Sequence, residues 1–164
     1  MATNYENAFE QRPDVYAAWR QLVTSIKANM DERRYELVTL AAAQRLKSSY
    51  CSLVHGTLLR DQLGENVLAI LRDRVETLSE VDVAVMELAE QIVDDATASD
   101  AKRERLRELG LTDDEIMDVV LTATARCFFS KTLDGLAVLP DAEHEALDPD
   151  LRDALVVGRP IASA

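Results

Sequence analysis

Cysteine, proline, glycine and aromatic side chains are all scarce in this sequence. Two cysteines, Cys51 and Cys127, among 164 residues exclude a disulfide scaffold and lead to the expectation of a reducing, cytoplasmic setting. Five glycines, four prolines and an aromatic content of 5% leave little material for turns and strands, which favours helices. No run of about eighteen apolar residues occurs, so no membrane span is expected. The opening residues lack the basic start and apolar stretch of a secretory signal. Basic residues are the minority, 18 against 30 acids, for a net charge of −12. Nucleic acid and anionic membrane surfaces would be repelled, so neither is an expected partner. The one basic cluster, Arg103, Arg105 and Arg107, is interleaved with Glu104 and Glu108; the overall charge reads as solubility.

What is present is an ordinary globular mixture, 48% apolar and 29% charged, which excludes a disordered or collagen-like chain. The length suits one domain, able to remove about 70% of its unfolded surface from water. After Pro13, the residues Val15, Trp19, Leu22, Val23, Ile26 and Met30 recur at steps of three and four, the mark of one helix face. Asp31 is placed to cap a second helix. That helix carries Leu37, Val38, Leu40, Ala41, Ala42 and Ala43, is apolar almost all round, and belongs at the centre. Lys47-Ser48-Ser49 interrupts it; either serine can cap a third helix from about 50 to 63, which Gly64 would end. A short segment, 65–73, follows.

Ser79 opens a helix of about twenty residues, with Asp82 as its capping acid and Val85, Leu88, Ala89, Ile92 and Val93 facing inward. Asp100 is expected to cap a short helix that stops at Leu109-Gly110. Thr112-Asp113-Asp114-Glu115 forms a capping box. Its helix, expected to reach about Val138, aligns Ile116, Val119, Val120, Ala123 and Cys127. Asp148 and Pro149 would start one more short helix in the tail. The expected organisation is all-α: an arm over 1–12, one multi-helix domain over 13–140, and an acidic tail over 141–164 that lies across the body or a neighbour. Helices apolar on more than one side, 32–46 and 115–138, call for burial between subunits, so a homo-oligomer is expected.

One constellation carries chemistry. Cys51 and His55 are four residues apart and share a helix face. Cys51 falls in the first turn, where free N–H groups and the helix dipole favour a thiolate. His55 can take the thiol proton, and a third group orients such a base. Glu36, a carboxylate in an apolar stretch, is the candidate, since a Glu is rarely buried unless paired. Fifteen residues along one continuous helix would separate Glu36 from Cys51 by about 22 Å, so the Lys47-Ser48-Ser49 break has to fold the two helices together. Cys127 lies on the apolar stripe and is expected to be buried. His144, flanked by Glu143 and Glu145, is expected to be exposed. Without a second His beside a Cys or carboxylate cluster, no metal site or cofactor is expected.

Glu36, then Ser48-Ser49-Tyr50-Cys51, then His55, in an acidic helical chain, resembles the carboxymuconolactone decarboxylase family, and within it the AhpD-like alkylhydroperoxidase branch. The resemblance covers about 12–140, includes the stretch Leu111 to Ile116, and extends to Val157-Gly158-Arg159-Pro160-Ile161, which is similar to peroxidase-related members. It implies an AhpD-like helical fold, assembly as trimers or hexamers, and thiol-dependent peroxide reduction, or lactone decarboxylation where the redox pair is missing. By the same resemblance Cys51 is the motif's second cysteine, His55 its histidine and Glu36 its glutamate, while Tyr50 stands at a variable position often Tyr or His. Ser48 replaces the first cysteine, so no Cys-x-x-Cys disulfide can form. A sulfenic acid on Cys51 would need an external thiol reductant, or Cys127, to resolve it.

Three functions follow. The first is an antioxidant peroxidase, an oxidoreductase in which Cys51 attacks the peroxide, His55 manages the proton, Glu36 orients His55, and Ser48 donates a hydrogen bond to the thiolate. The second is proton transfer by His55 and Glu36 on a small lactone. The third is a redox sensor or structural oligomer without turnover.

Overall fold

Side-chain caps set most of the helix starts. The computed structural model describes residues 2–163. Thr3 makes a capping box with Glu6 and begins α1 (Asn4–Ala8), a helix within the expected arm. Pro13 opens α2 (Pro13–Lys27), and Asp31 accepts from the Arg34 N–H to start α3 (Glu32–Arg45). Next come α4 (Ser49–Asp61), α5 (Val67–Arg72), capped by Asn66, and α6 (Arg74–Thr77), capped by Asp73. Ser79 caps α7 (Glu80–Asp95) through the Asp82 N–H. That helix is shorter than expected because Asp95 caps a tight 3₁₀ turn over Ala96–Ala98.

In α8 (Asp100–Glu108), Ser99 holds the cap position without a side-chain bond, and Asp100, expected as the cap, is the first helical residue. The Thr112–Glu115 box opens α9 (Asp113–Gly135). A 3₁₀ turn over Ala142–Ala146 leads to α10 (Pro149–Leu155), which Asp148 caps. No strand occurs among the described residues.

Helix α3 is the central element. Every residue from Tyr35 to Ala43 is buried, and α3 packs on α4, α7 and α9. The largest apolar cluster joins Leu37, Val38 and Leu40 to Leu53 and Leu59 of α4, Val85 and Leu88 of α7, and Val119 and Ala123 of α9. Leu151 and Leu155 of α10 complete it, so the tail lies on the body. Gly56 lets α10 approach α4: a Cβ there would come within 2.6 Å of a Leu155 methyl. A second cluster gathers Phe9, Trp19, Ile26, Tyr35, Tyr50, Cys51 and Phe129. Trp19 and Phe129 stack at 4.7 Å between centroids, and Phe9 stacks on the Phe129 ring at 5.8 Å. This aromatic cluster joins α2, α4 and α9, and fixes the walls of the site described next.

Three burial expectations are corrected. Leu22, expected inside, is 46% exposed, because α2 turns Trp19 and Ile26 inward instead. His144, expected exposed, is buried, because Leu151 and Leu155 draw the tail onto the core and carry the preceding turn with them. Cys127, expected buried, is only half-buried. On α9 the buried row runs Ile116, Val119, Ala123, Arg126, Ser130, Leu133, and Cys127 sits one step off it.

Candidate functional site

The turn between α3 and α4 brings the chemistry-bearing residues together. Lys47 adopts φ +56°, the left-handed conformation that ends a helix sharply. The Ser48 N–H then reaches back to the Ala43 carbonyl at 3.0 Å. The chain reverses, α4 packs along α3, and the long separation along the chain between Glu36 and the Cys51 helix is closed. Glu36 Oε2 meets His55 Nδ1 at 2.5 Å. The other Glu36 oxygen lies 3.5 Å from Lys27 Nζ, which also sits 4.8 Å from the centre of the Tyr35 ring.

Glu36 is 2% exposed. Burial opposes its charge, but the hydrogen bond to His55 and the charges of Lys27 and Arg126 hold its carboxyl below the usual range. Burial, then the charge of Arg126, keeps the His55 imidazole below its ordinary value against the pull of Glu36. At neutral pH the pair is therefore a carboxylate and a neutral imidazole. Nδ1–H donates to Glu36, which leaves Nε2 with a free lone pair.

Cys51 is buried in the first turn of α4. Its sulfur accepts from Arg126 Nη1 at 3.9 Å, while Arg126 Nη2 donates to the Tyr35 hydroxyl at 2.9 Å. The guanidinium is 4% exposed and lies over Trp19 and Phe129, 5.5 and 5.8 Å from their ring centres. No carboxylate pairs with it among the described residues. Burial weakens its charge, but Cys51, Tyr35 and Glu36 raise its hold on the proton overall. A buried cation without a carboxylate favours anionic or acidic partners, and the Cys51 sulfur and the Tyr35 hydroxyl are the two such groups in contact with it.

Cys51, His55, Glu36, Tyr50, Lys27, Tyr35 and Arg126 all line one cavity of about 320 Å³. Ser48 does not line it, and its buried hydroxyl has no hydrogen-bond partner among the described residues. The expected bond from Ser48 to the Cys51 sulfur is absent. Tyr50 donates its hydroxyl to Asp141 and accepts from the Tyr5 N–H at 3.4 Å, tying arm and tail to the wall of the site. Cys127 follows Arg126 directly on α9, so its side chain diverges by about 100° from the one that meets Cys51. It lies outside the cavity lining, and burial pushes its thiol up.

Arg126, Lys27 and Tyr35 are site residues that the sequence pattern missed. The buried row of α9 steps by three and four through Ile116, Val119 and Ala123 to Arg126. A charged residue on that row was the available signal. Among the described residues no cluster of His, Cys, Asp or Glu is fit to hold a metal ion, and no helix is long and apolar enough to cross a membrane.

No protein-family model and no curated protein sequence matches the chain. Solved structures do. A structure described as an alkylhydroperoxidase AhpD core, an uncharacterized peroxidase-related protein from Ralstonia eutropha JMP134, superposes with a TM-score of 0.78. It shares 17% identity over 88% of this chain and 80% of that one. An uncharacterized peroxidase-related protein from Silicibacter sp. TM1040 gives the same TM-score, with 20% identity over 89% of this chain and 80% of that one. The all-helical architecture is thus AhpD-like.

Proposed function

We propose that the protein is a thiol-dependent peroxidase of the alkylhydroperoxidase kind, with Cys51 as its nucleophile. One observation carries this: a buried guanidinium without a carboxylate lies 3.9 Å from the Cys51 sulfur, in the cavity that also holds the Glu36–His55 pair. His55 Nε2 takes the thiol proton, Glu36 stabilises the imidazolium, and Arg126 holds the thiolate. The sulfur bonds to the terminal peroxide oxygen, the O–O bond breaks, and the alkoxide leaves with the proton from His55. The products are an alcohol and a Cys51 sulfenic acid. An external thiol converts the sulfenic acid to a mixed disulfide with loss of water, and a second thiol releases Cys51. Turnover therefore belongs in a compartment rich in reduced thiols, the cytoplasm by expectation. Proton transfer on a small lactone would use Glu36 and His55 but would leave Arg126 against Cys51 without a task, so the peroxidase reading is preferred. The subunits are read as a homo-oligomer because α2 and α9 leave apolar side chains uncovered, whereas α3, expected to need a neighbouring subunit, is covered within the chain.

The test is one equivalent of an organic hydroperoxide added to reduced protein, with trapping of sulfenic acid. Cys51→Ser should abolish trapping and Cys127→Ser should leave it intact. Arg126→Met should slow oxidation by about 100-fold, the usual effect of removing one fixed charge-stabilising donor. Oxidation of Cys51 no faster than that of a free thiol would defeat the proposal. Oxidation followed by no recycling with any thiol would make the protein a sensor and not an enzyme.

A further inference from the structure

The cavity is larger than hydrogen peroxide needs. At about 320 Å³ it exceeds the roughly 30 Å³ of a water-sized molecule and falls at the lower end of small-ligand sites. Tyr5, Tyr16, Trp19, Val23 and Phe129 form an apolar, mainly aromatic wall. The charges around it run against those of the whole chain. Three cations, Arg20, Lys27 and Arg126, line the cavity with one carboxylate, Glu36, in a protein of net charge −12. Such local inversion draws anions to a cleft.

The three cations differ in what occupies them. Lys27 faces Glu36 and Glu32, at 3.5 and 3.8 Å, and Arg126 is committed to Cys51 and Tyr35. Arg20 is exposed on α2, one residue from Trp19, and forms no ion pair among the described residues. Glu6 feels its charge, but the Thr3 N–H and hydroxyl already engage that carboxylate at 2.9 and 3.0 Å. A free guanidinium at the rim of an aromatic cavity has the planar donor fork that fits a carboxylate.

Resting on the peroxidase reading, we infer that the substrate is an organic hydroperoxide with a compact apolar or aromatic body and a carboxylate, which Arg20 holds while the peroxide reaches Cys51. The sulfur–oxygen bond forms and the O–O bond breaks as in the proposed reaction. The leaving group is then the corresponding hydroxy acid, its alkoxide protonated from His55.

A matched pair of probes tests this: cumene hydroperoxide carrying a para carboxylate, and its methyl ester. The acid should oxidise Cys51 about tenfold faster than the ester, the effect of one charged hydrogen-bonded contact. Arg20→Gln should bring the two rates within about twofold, and Arg20→Lys should keep part of the difference. Equal rates in the wild-type protein, with Cys51 still oxidised, would overturn the inference and leave the peroxidase reading standing. If neither probe oxidises Cys51, the peroxidase reading falls and binding decides the ligand class. Trp19 is the only tryptophan and lies in the cavity wall, so its fluorescence reports occupancy. A saturable change with 4-isopropylbenzoate, weakened in Arg20→Gln, keeps the carboxylate site. No change overturns it.

Discussion

His55, His144 and Glu36 act in one direction with respect to pH, the histidines through burial and Glu36 through its charged and hydrogen-bonded partners. The two histidines are the only ones in the chain, and burial is the largest influence holding each below its ordinary value. For a histidine so depressed, the unfolded chain binds the proton first. Stability is full above about pH 6.5 and falls with acidification until the folded-state value is passed. Glu36 adds a loss of the same sign at lower pH, as its carboxyl protonates and gives up His55 and Lys27. Asp118 and Asp134, pushed up by burial, act in the opposite sense nearer the carboxylate range. Each histidine contributes a slope of at most about 1.4 kcal/mol per pH unit. Urea midpoints should therefore be lower at pH 5.5 than at pH 7.5, with a smaller drop in His144→Asn. Identical midpoints at both pH values would show that neither histidine is held neutral by the fold.

At the scale of elements, legibility followed local rules. Asp31, Ser79, Thr112–Glu115 and Asp148–Pro149 cap through short-range hydrogen bonds within their own segments, so sequence alone located those starts. The unbroken apolar stretch of α3 likewise identified the central helix, and the Glu36–His55 pairing followed from one break and one shared face. Helix α9 departs from the single apolar stripe expected of it because its two halves face different neighbours. Its first half enters the main cluster through Ile116, Val119 and Ala123, and its second half meets Trp19 through Phe129. The inward row then passes through Arg126 and Ser130, polar residues that an apolar stripe skips, so the stripe points to Cys127 where the structure buries Arg126.

Long-range contacts made by short tail segments were equally hidden. Gly158 is the clearest case. Its N–H donates to Ser49 Oγ at 2.8 Å, and a Cβ there would lie 2.0 Å from the Lys47 carbonyl oxygen. That carbonyl belongs to the turn that presents α4. Gly158→Ala must displace backbone, at a cost of about 1–3 kcal/mol, and should slow Cys51 oxidation as α4 shifts. Gly135→Ala is the control: its Cβ would meet nothing within 4 Å, and a helical alanine should be neutral or stabilising by up to about 1 kcal/mol. Equal unfolding midpoints for Gly158→Ala and wild type would remove the tail from the support of the site.

The molecule as a whole leaves an apolar surface beside the site, which bears on its assembly. Met117, Leu121 and Phe128 are 56%, 38% and 49% exposed, and steps of four and seven place them on one side of α9. Phe128 also tilts against Trp19 at 5.7 Å between centroids and shares a shallow depression with Leu22 of α2, itself 46% exposed. A row of large apolar groups across two adjacent helices exceeds the scattered exposure normal for a monomer's surface. A second copy of the chain offers the same row, and a closed symmetric assembly would cover each copy alike. Trp19 has one neighbour, Phe128, on this surface and another, Phe129, in the cavity wall, so association would brace the aromatic wall from behind. Light scattering is expected to give a multiple of the 18.2 kDa chain mass, with a trimer or hexamer as the expected size. Leu121→Glu combined with Phe128→Glu should reduce it to a single chain by placing like charges at the contact. A wild-type mass of one chain at micromolar concentration would end the assembly proposal. If the dissociated double variant retained full Cys51 reactivity, the cavity would be complete within one subunit.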